Sequence, residues 1–242
     1  MTGRPALGLF GKLPWEGDFI QRGLSARFVR PWDDWLSRAM AASRDALGSE
    51  WSDAYLLSPP WSFVIEPGIV DDSGWAGVVL SSVDRVRRYF PLTLALELPA
   101  RDAAVSRALA LKPVCEALER TALSLIEAEQ PLDEALMRLD VQVGRALAGL
   151  RTGRPLTLVW RGQEGEPAHA RFAPEAHDAP LADRGPGRAV ASGASRWWHD
   201  RWQSHAPAVI DCVGLPAPRA FAAFFDGDWS RHGWTATPED AP

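Results

Sequence analysis

Two short apolar runs separated by a charged insert dominate the hydrophobic pattern of the chain. Residues 75–80 are apolar at consecutive positions, and residues 89–98 combine Leu with Tyr, Phe and Thr. Neither run is long enough for an ordinary helix, and these residue types suit the packed surface of a sheet. A run without polar alternation predicts a strand that is covered on both faces. We therefore predict two central strands, with Trp75 and Phe90 largely buried.

The insert at residues 81–88 predicts a short helical turn between these two strands. A Ser precedes Asp84 at helix-capping distance. In such a turn, Arg85 and Arg88 lie three positions apart and share a face. Because loops that join core strands carry function more often than the strands do, the insert is a candidate site.

The rest of the chain alternates between strand-like runs and helical patterns. Short apolar runs predict strands at residues 5–10, 61–66, 156–160 and 208–213, with a weak strand at 188–192. Apolar positions three or four apart predict helices at residues 31–47, 102–111, 113–126, 131–149 and 218–225, with a short helix or turn at 50–57. Pro31 fits the first turn of its helix. Trp197, Trp198 and Trp202 lie at helical spacing, which favours a helix over residues 194–205.

This order of elements predicts one α/β domain over residues 1–235, in which helices cover both faces of a mixed sheet. A chain of 242 residues is long enough to bury a large core without disulfides. Residues 161–188 are rich in Gly, Pro, Ala and charge, which predicts a long loop or insertion. Residues 236–242 form a tail that we expect to fray.

Composition and charge argue against several classes of protein. The net charge of −5 argues against a nucleic-acid-binding protein. No run reaches the roughly 20 apolar residues of a membrane helix, so we expect no membrane insertion. Cys115 and Cys212 lie far apart and form no CxxC pattern, which fits a reducing compartment and a cytoplasmic location.

The sequence shows no familiar catalytic or metal-binding pattern. Lys12 follows a strand and a Gly, but a phosphate-binding loop needs Gly and Ser or Thr where this chain has Ala6 and Leu13. His199 and His205 are six positions apart, which does not match an i, i+4 metal pair on a helix. We therefore predict no metal, no cofactor and no catalytic residue.

Charged residues in two loops form the remaining candidate site. They are Lys12 and Asp18 in the loop after the first strand, and Asp84, Arg85 and Arg88 in the charged insert. The Arg side chains could hold a phosphate, a phosphopeptide or an acidic partner surface. The alternative is structural, with an Arg paired to Asp18 or Asp84 to fix the loop. Because both loops follow strands and carry complementary charge, we expect them to be adjacent, with one of the two Asp residues paired to an Arg.

Seven short tracts, all within residues 6–100, form a specific pattern. They are GKLP at 11–14, GDFI at 17–20, WDDWL at 32–36, SPPW at 58–61, PG at 67–68, SVDRV at 82–86 and YFPL at 89–92. In this order they resemble the TagF (ImpM) family, accessory proteins of bacterial type VI secretion systems. The pattern departs from the family at Arg87, where a Gly is expected.

The resemblance implies a three-layer α/β sandwich and a regulatory role without enzymatic activity. It implies a post-translational repressor that binds a forkhead-associated scaffold protein and keeps it from the secretion apparatus. The candidates for partner binding are Lys12, Trp15, Asp18, Asp84, Arg85, Arg88 and Trp197. Trp and Arg dominate interface energetics, so we favour the Arg85/Arg88 turn and whichever of Trp15 and Trp197 is exposed.

Two alternative functions remain open at this point. The first is an enzyme that acts on a phosphorylated or nucleotide substrate through Lys12, Asp18, Asp84 and Arg85. It requires a deep polar cleft that joins these four residues, whereas a regulator requires an exposed apolar or aromatic patch. The second is a structural subunit of the secretion apparatus.

Overall fold

The structure, a computed structural model, describes residues 5–99, 108, 110–151, 170–174, 193–203 and 205–236. The described strands are β1 (Leu7–Gly11), β2 (Ile20–Arg22), β3 (Trp61–Ile65), β4 (Gly74–Leu80), β5 (Leu92–Leu98), β6 (Ala170–Pro174), β7 (Ala194–His199), β8 (Ala208–Val213) and β9 (Trp234–Ala236). The described α-helices are α1 (Ala26–Leu47), α2 (Trp51–Leu57), α3 (Lys112–Glu127), α4 (Leu132–Arg151) and α5 (Ala223–Asp226). Short 3-10 helices lie at Gly48–Glu50 and Pro218–Ala220.

The described strands form one sheet in the order β2-β1-β5-β4-β3-β7-β8-β6-β9. Strands β6 and β8 pair in parallel, and the other pairs in the described part of the chain are antiparallel. The sheet is therefore mixed, as predicted. Strand β6 lies within the predicted loop at 161–188, and the other residues of that segment fall outside the described ranges.

Two hydrophobic clusters on opposite faces of the sheet produce a three-layer sandwich. One cluster contains Trp32 of α1, Tyr55 of α2 and Phe225 of α5. The other contains Leu118 of α3 and Leu139 of α4. The predicted α/β sandwich with helices on both faces is confirmed.

Strands β4 and β5 lie at the centre, and their burial confirms the prediction for both apolar runs. All seven residues of β4 are buried. Trp75 is 1% exposed and Phe90 is 6% exposed. Gly77 of β4 leaves room for the Phe63 ring of β3, because a Cβ at this position would lie 2.2 Å from that ring. Both runs are thus mainly apolar because both faces of these strands meet a hydrophobic cluster, although β5 also contains Thr93 and Glu97.

The predicted helix over residues 194–205 is wrong. Residues Ala194–His199 form β7, which pairs with β3 and β8. Trp197 packs in one hydrophobic cluster and Trp198 in the other, as neighbouring residues of a strand point to opposite faces. The spacing of the three Trp residues resembles one helical face, but Trp197 and Trp198 lie on opposite faces of a covered strand and Trp202 lies beyond the end of that strand.

The start of α1 also differs from the prediction, since the helix begins at Ala26 and contains Pro31. The backbone N–H groups of Phe28 and Val29 already donate to the carbonyl of Ser25. Pro31 therefore removes one internal hydrogen bond, while buried Phe28 and Val29 extend the apolar face by a turn.

Several predicted elements fall mainly or wholly outside the described residues. They are the helix at 102–111, the strands at 156–160 and 188–192, and the tail at 236–242, of which only Ala236 is described, as the end of β9. Within the described ranges, no helix combines the length and the apolar character needed to cross a membrane.

Candidate functional site

Two loops meet at one end of the sheet, because β1, β5 and β4 are neighbours and the loops adjoin them there. The first loop, residues 12–19, joins β1 to β2, and the turn at residues 82–88 lies between β4 and β5. The backbone N–H of Arg85 donates to the carbonyl of Glu16 at 2.9 Å. The hydroxyl of Ser82 donates to the carbonyl of Lys12 at 2.8 Å. The predicted adjacency is confirmed, and we call residues 12–19 and 82–88 the paired-loop site.

Asp84 organises the turn through its own carboxylate. Its Oδ1 accepts hydrogen bonds from the backbone N–H groups of Val86 at 3.0 Å and Arg88 at 2.8 Å. The backbone N–H of Arg87 donates to the Asp84 carbonyl at 2.9 Å. The predicted helical turn is therefore wrong, because the Asp side chain satisfies local N–H groups in a tight turn instead.

A buried ion pair links the two loops. The Nζ of Lys12 donates to Oδ2 of Asp84 at 2.9 Å, and both residues are buried. The Nε of Arg88 donates to the same carboxylate. Burial alone would raise the pKa of Asp84, but the hydrogen bonds from Arg88 and Lys12 outweigh burial and hold the pKa well below its usual range. Asp84 thus stays ionised, and it was correctly predicted to pair with an Arg.

Contacts from Tyr55 and Phe19 also hold the residues around this ion pair. The Tyr55 hydroxyl of α2 donates to the carbonyl of Ser82 at 2.8 Å, and it accepts from the backbone N–H of Ser82 at 2.9 Å. The Lys12 ammonium lies 5.0 Å from the centre of the Phe19 ring. Burial raises the pKa of Tyr55, so its hydroxyl keeps its proton. The first residues of both loops are therefore held by buried polar contacts.

The two loops of the paired-loop site expose both apolar and cationic side chains. Trp15 is 38% exposed, Phe19 is 47% exposed and Val86 is 64% exposed. Arg85 and Arg87 are also exposed, and neither forms an ion pair with a described acidic residue. Aromatic and Arg side chains in one exposed patch are typical of protein-binding surfaces.

The comparisons with known proteins identify the family of this chain. A sequence model described as the TagF N-terminal domain, type VI secretion system-associated, matches residues 8–141. The chain belongs to the TagF family. The crystal structure of PA0076 from Pseudomonas aeruginosa PAO1 is similar, with 32% sequence identity and a TM-score of 0.66 over 92% of this chain and 95% of that chain. The chain has no significant match among curated protein sequences. This TagF-family protein is therefore a type VI secretion system-associated protein.

The structure brings most of the predicted site residues together in this TagF-family protein. Lys12 and Asp84 form the buried centre, and the exposed side chain of Arg88 donates to the Asp84 carboxylate from the surface. Arg88 also donates to the Gly17 carbonyl and lies 4.0 Å from the exposed carboxylate of Asp18. Arg88 therefore has the structural role that the sequence allows for an Arg paired to Asp84. Arg85 has no acidic partner among the described residues.

The two Trp candidates have different positions. The Trp15 indole N–H donates to the Leu125 carbonyl of α3 at 3.1 Å, which leaves part of the ring exposed at the edge of the site. Trp197 is 0% exposed and packs against Trp32 and Phe63 in the core. Trp197 is therefore wrong as a candidate for partner binding, because a covered strand places it inside the sandwich.

Sequence reasoning missed Phe19 and Val86 as surface residues of the site. Both were present in the family tracts, but an apolar residue in a loop gives no periodic signal that it is exposed. Arg87 has a φ of 63°, the left-handed conformation that favours Gly. The Gly expected at this position therefore has a physical reason, and this chain holds a strained Arg there instead.

No group of three or more His, Cys, Asp or Glu side chains within the described ranges is arranged to hold a metal ion. A cavity of about 460 Å³ lies beside α2 and is lined by none of the residues of the paired-loop site.

Proposed function

We propose that this TagF-family protein is a non-enzymatic, cytoplasmic regulator that represses a type VI secretion system. It acts after translation by binding a forkhead-associated scaffold protein through the paired-loop site, which keeps that protein from the apparatus. Membership of the family supports the link to secretion, and the family resemblance supplies the partner.

The exposed side chains of the paired-loop site are the observation that supports the choice of this surface. Within the two loops, Trp15, Phe19 and Val86 expose apolar area, and Arg85 and Arg87 are exposed cations without a described acidic partner. A partner surface with apolar and acidic groups complements this patch. Since buried contacts already hold the loops, binding orders few additional groups, and less affinity is lost to conformational entropy.

The same geometry favours a binding surface over the enzyme alternative. Lys12 is 5% exposed and Asp84 is 1% exposed. The Asp84 carboxylate is occupied by Lys12, by the Arg88 side chain and by two backbone N–H groups. A general acid or base must reach the proton that it transfers. Lys12 and Asp84 are instead buried and bonded to groups of their own loops.

A secretion assay with matched variants tests the proposal. Val86→Asp places a charge in the proposed surface, and Val213→Asp makes the same change at an exposed position at the far end of β8. Overproduced wild type and Val213→Asp should both lower secretion, and Val86→Asp should not, with apparatus protein levels unchanged in each case. Deletion of the gene should raise secretion.

Two results would contradict the proposal. Repression by Val86→Asp as strong as that by the wild type would exclude the paired-loop site as the binding surface. Loss of secretion after deletion would show that the protein is a structural subunit that the apparatus needs.

A further inference from the structure

A pocket of about 260 Å³ lies where α3 and α4 meet, and polar side chains form most of its lining. Each helix contributes three lining residues, and Gln130 comes from the short connection between the helices. Among the described residues, no acidic side chain lines the pocket, although the chain has a net charge of −5. The volume is below the range of about 300–1,000 Å³ that is usual for pockets of drug-sized ligands, so a small group fits.

The side chain of Gln130 links the two helices across this pocket. Its Nε2 donates to the Ser124 hydroxyl oxygen of α3 at 2.8 Å, and its Oε1 accepts from Nη2 of Arg138 on α4 at 2.8 Å. Because the Ser124 oxygen accepts this bond, the Ser124 hydroxyl still has its own proton to donate. That proton has no acceptor within the part of the chain that the structure describes.

Arg138 keeps donors for a ligand. A guanidinium has five N–H groups, and one of those of Arg138 is used by Gln130. Its Nη1 lies 3.6 Å from a carboxylate oxygen of Glu134, and both side chains are more than half exposed. An exposed ion pair of this length is weak, so it does not prevent Arg138 from binding an anion.

Three more polar side chains of the lining have no partner within the described ranges, namely Arg120, Thr121 and Gln142. Arg120 lies one helical turn before Ser124 on α3, and Gln142 lies one turn after Arg138 on α4. Each helix therefore supplies a guanidinium and at least one neutral donor. The pocket is rich in donors on both sides, and two of its acceptors, the Ser124 oxygen and Oε1 of Gln130, are already used.

We infer that this pocket binds a phosphoryl group, as inorganic phosphate or as a phosphomonoester. A phosphomonoester carries nearly two negative charges at neutral pH, which matches the guanidinium groups of Arg120 and Arg138. Its three terminal oxygens form a pyramid and accept from donors on both helices at once. A carboxylate has one charge and two oxygens in one plane, so it leaves the donors of one helix unpaired. The pocket shares no residue with the paired-loop site, and the inference does not rest on the proposed function.

A titration followed by nuclear magnetic resonance at neutral pH and constant ionic strength tests the inference. The probes are inorganic phosphate, acetate, and a blocked Gly-Ser-Gly peptide with or without a phosphate on its serine. Phosphate and the phosphopeptide should shift the backbone amide signals of Thr121, Ser124 and Gln142. The phosphopeptide should bind at least about tenfold more tightly than the unmodified peptide, and inorganic phosphate at least about tenfold more tightly than acetate.

The two phosphorylated probes distinguish the source of the phosphoryl group. Tighter binding of the phosphopeptide than of inorganic phosphate supports a phosphorylated residue of a partner as the ligand. Binding of inorganic phosphate that is equally tight or tighter supports the free anion.

Two variants locate the binding. Arg120→Gln removes one guanidinium from the pocket, and Arg145→Gln makes the same change in charge on an exposed residue of α4 that does not line the pocket. Both residues are exposed, so both variants should fold. Arg120→Gln should weaken phosphate binding at least about tenfold, and Arg145→Gln should bind phosphate as the wild type does. Unchanged signals of Thr121, Ser124 and Gln142, acetate binding as tight as that of phosphate, or equal phosphate binding by the two variants would each overturn the inference.

Discussion

Arg87 allows a clean test of the turn in the paired-loop site. Its φ of 63° is left-handed, and its side chain is exposed. The left-handed conformation costs a non-glycine residue about 1–2 kcal/mol, and glycine avoids that cost. Glycine loses more chain entropy on folding, which offsets about 0.5–1 kcal/mol of the gain. Arg87→Gly should therefore be about 0.5–1 kcal/mol more stable than Arg87→Ala, which keeps the left-handed strain.

The comparison of these two variants isolates the backbone, because both remove the same charge and the same side chain. Equilibrium urea denaturation followed by circular dichroism measures the difference. For a chain of this size, it corresponds to a rise in Tm of about 1–4 °C for the Gly variant over the Ala variant. An Ala variant that is as stable as the Gly variant, or more stable, would refute the argument that Arg87 is strained.

Three further predictions concern the core and the pH dependence of stability. Trp75→Ala should cost about 3–5 kcal/mol in urea denaturation because the side chain is 1% exposed, and a loss under about 1 kcal/mol would contradict the packing described for β4. Burial, reinforced by the Asp200 carboxylate, raises the pKa of Glu119 to about 7 from 4.5, so the native state retains a proton in this window and stability falls as pH rises through it. Glu119→Gln should abolish that fall and raise the free energy of unfolding at pH 8 by about 1–2 kcal/mol, a value that is reduced because the side chain is partly exposed. An unchanged pH profile of stability in this variant would contradict the raised pKa of Glu119. Burial lowers the pKa of His199 from 6.5 to about 4, so the unfolded state binds more protons and stability should drop as pH falls through that window. In His199→Asn, the side-chain amide can replace the Nδ1–H group as a hydrogen-bond donor, and the loss of stability as pH falls should become smaller. An equally large loss in the variant would contradict the lowered pKa of His199.

The sequence predicted the centre of the fold well because β4 is apolar on both faces, β5 is mainly apolar, and both are too short for ordinary helices. It failed at β7, where Trp197 and Trp198 serve opposite clusters and no alternation of apolar and polar residues marks the strand. A covered strand and a buried helix segment have the same composition, and only the neighbouring layers distinguish them.

The candidate site was predicted in part. Complementary charge in two loops after neighbouring strands indicated that the loops meet, and Asp84 does pair with Arg88. The geometry of the turn was missed because Asp favours both a helix start and a side-chain-closed turn. Lys12 was not predicted as the buried partner of Asp84, since the two are 72 positions apart and their contact depends on the register of β1 against β5.

The central claim is that the paired-loop site binds the forkhead-associated scaffold protein, and a pull-down with two charge-reversal variants tests it most directly. Arg85→Glu with Arg87→Glu reverses the two cations of the site that have no acidic partner among the described residues, and leaves Arg88, which supports the turn, in place. Arg27→Glu with Arg30→Glu makes the same change in net charge on exposed residues at the start of α1. That start lies at the other end of the sheet, where Phe28 contacts Trp75 with ring centres 4.2 Å apart.

Both variants should melt close to the wild type, because none of the four side chains is buried. The account predicts that wild type and the Arg27/Arg30 variant capture the forkhead-associated protein equally, and that the Arg85/Arg87 variant captures at least tenfold less. Equal capture by all three proteins would contradict the assigned surface, and no capture by the wild type would contradict the assigned partner.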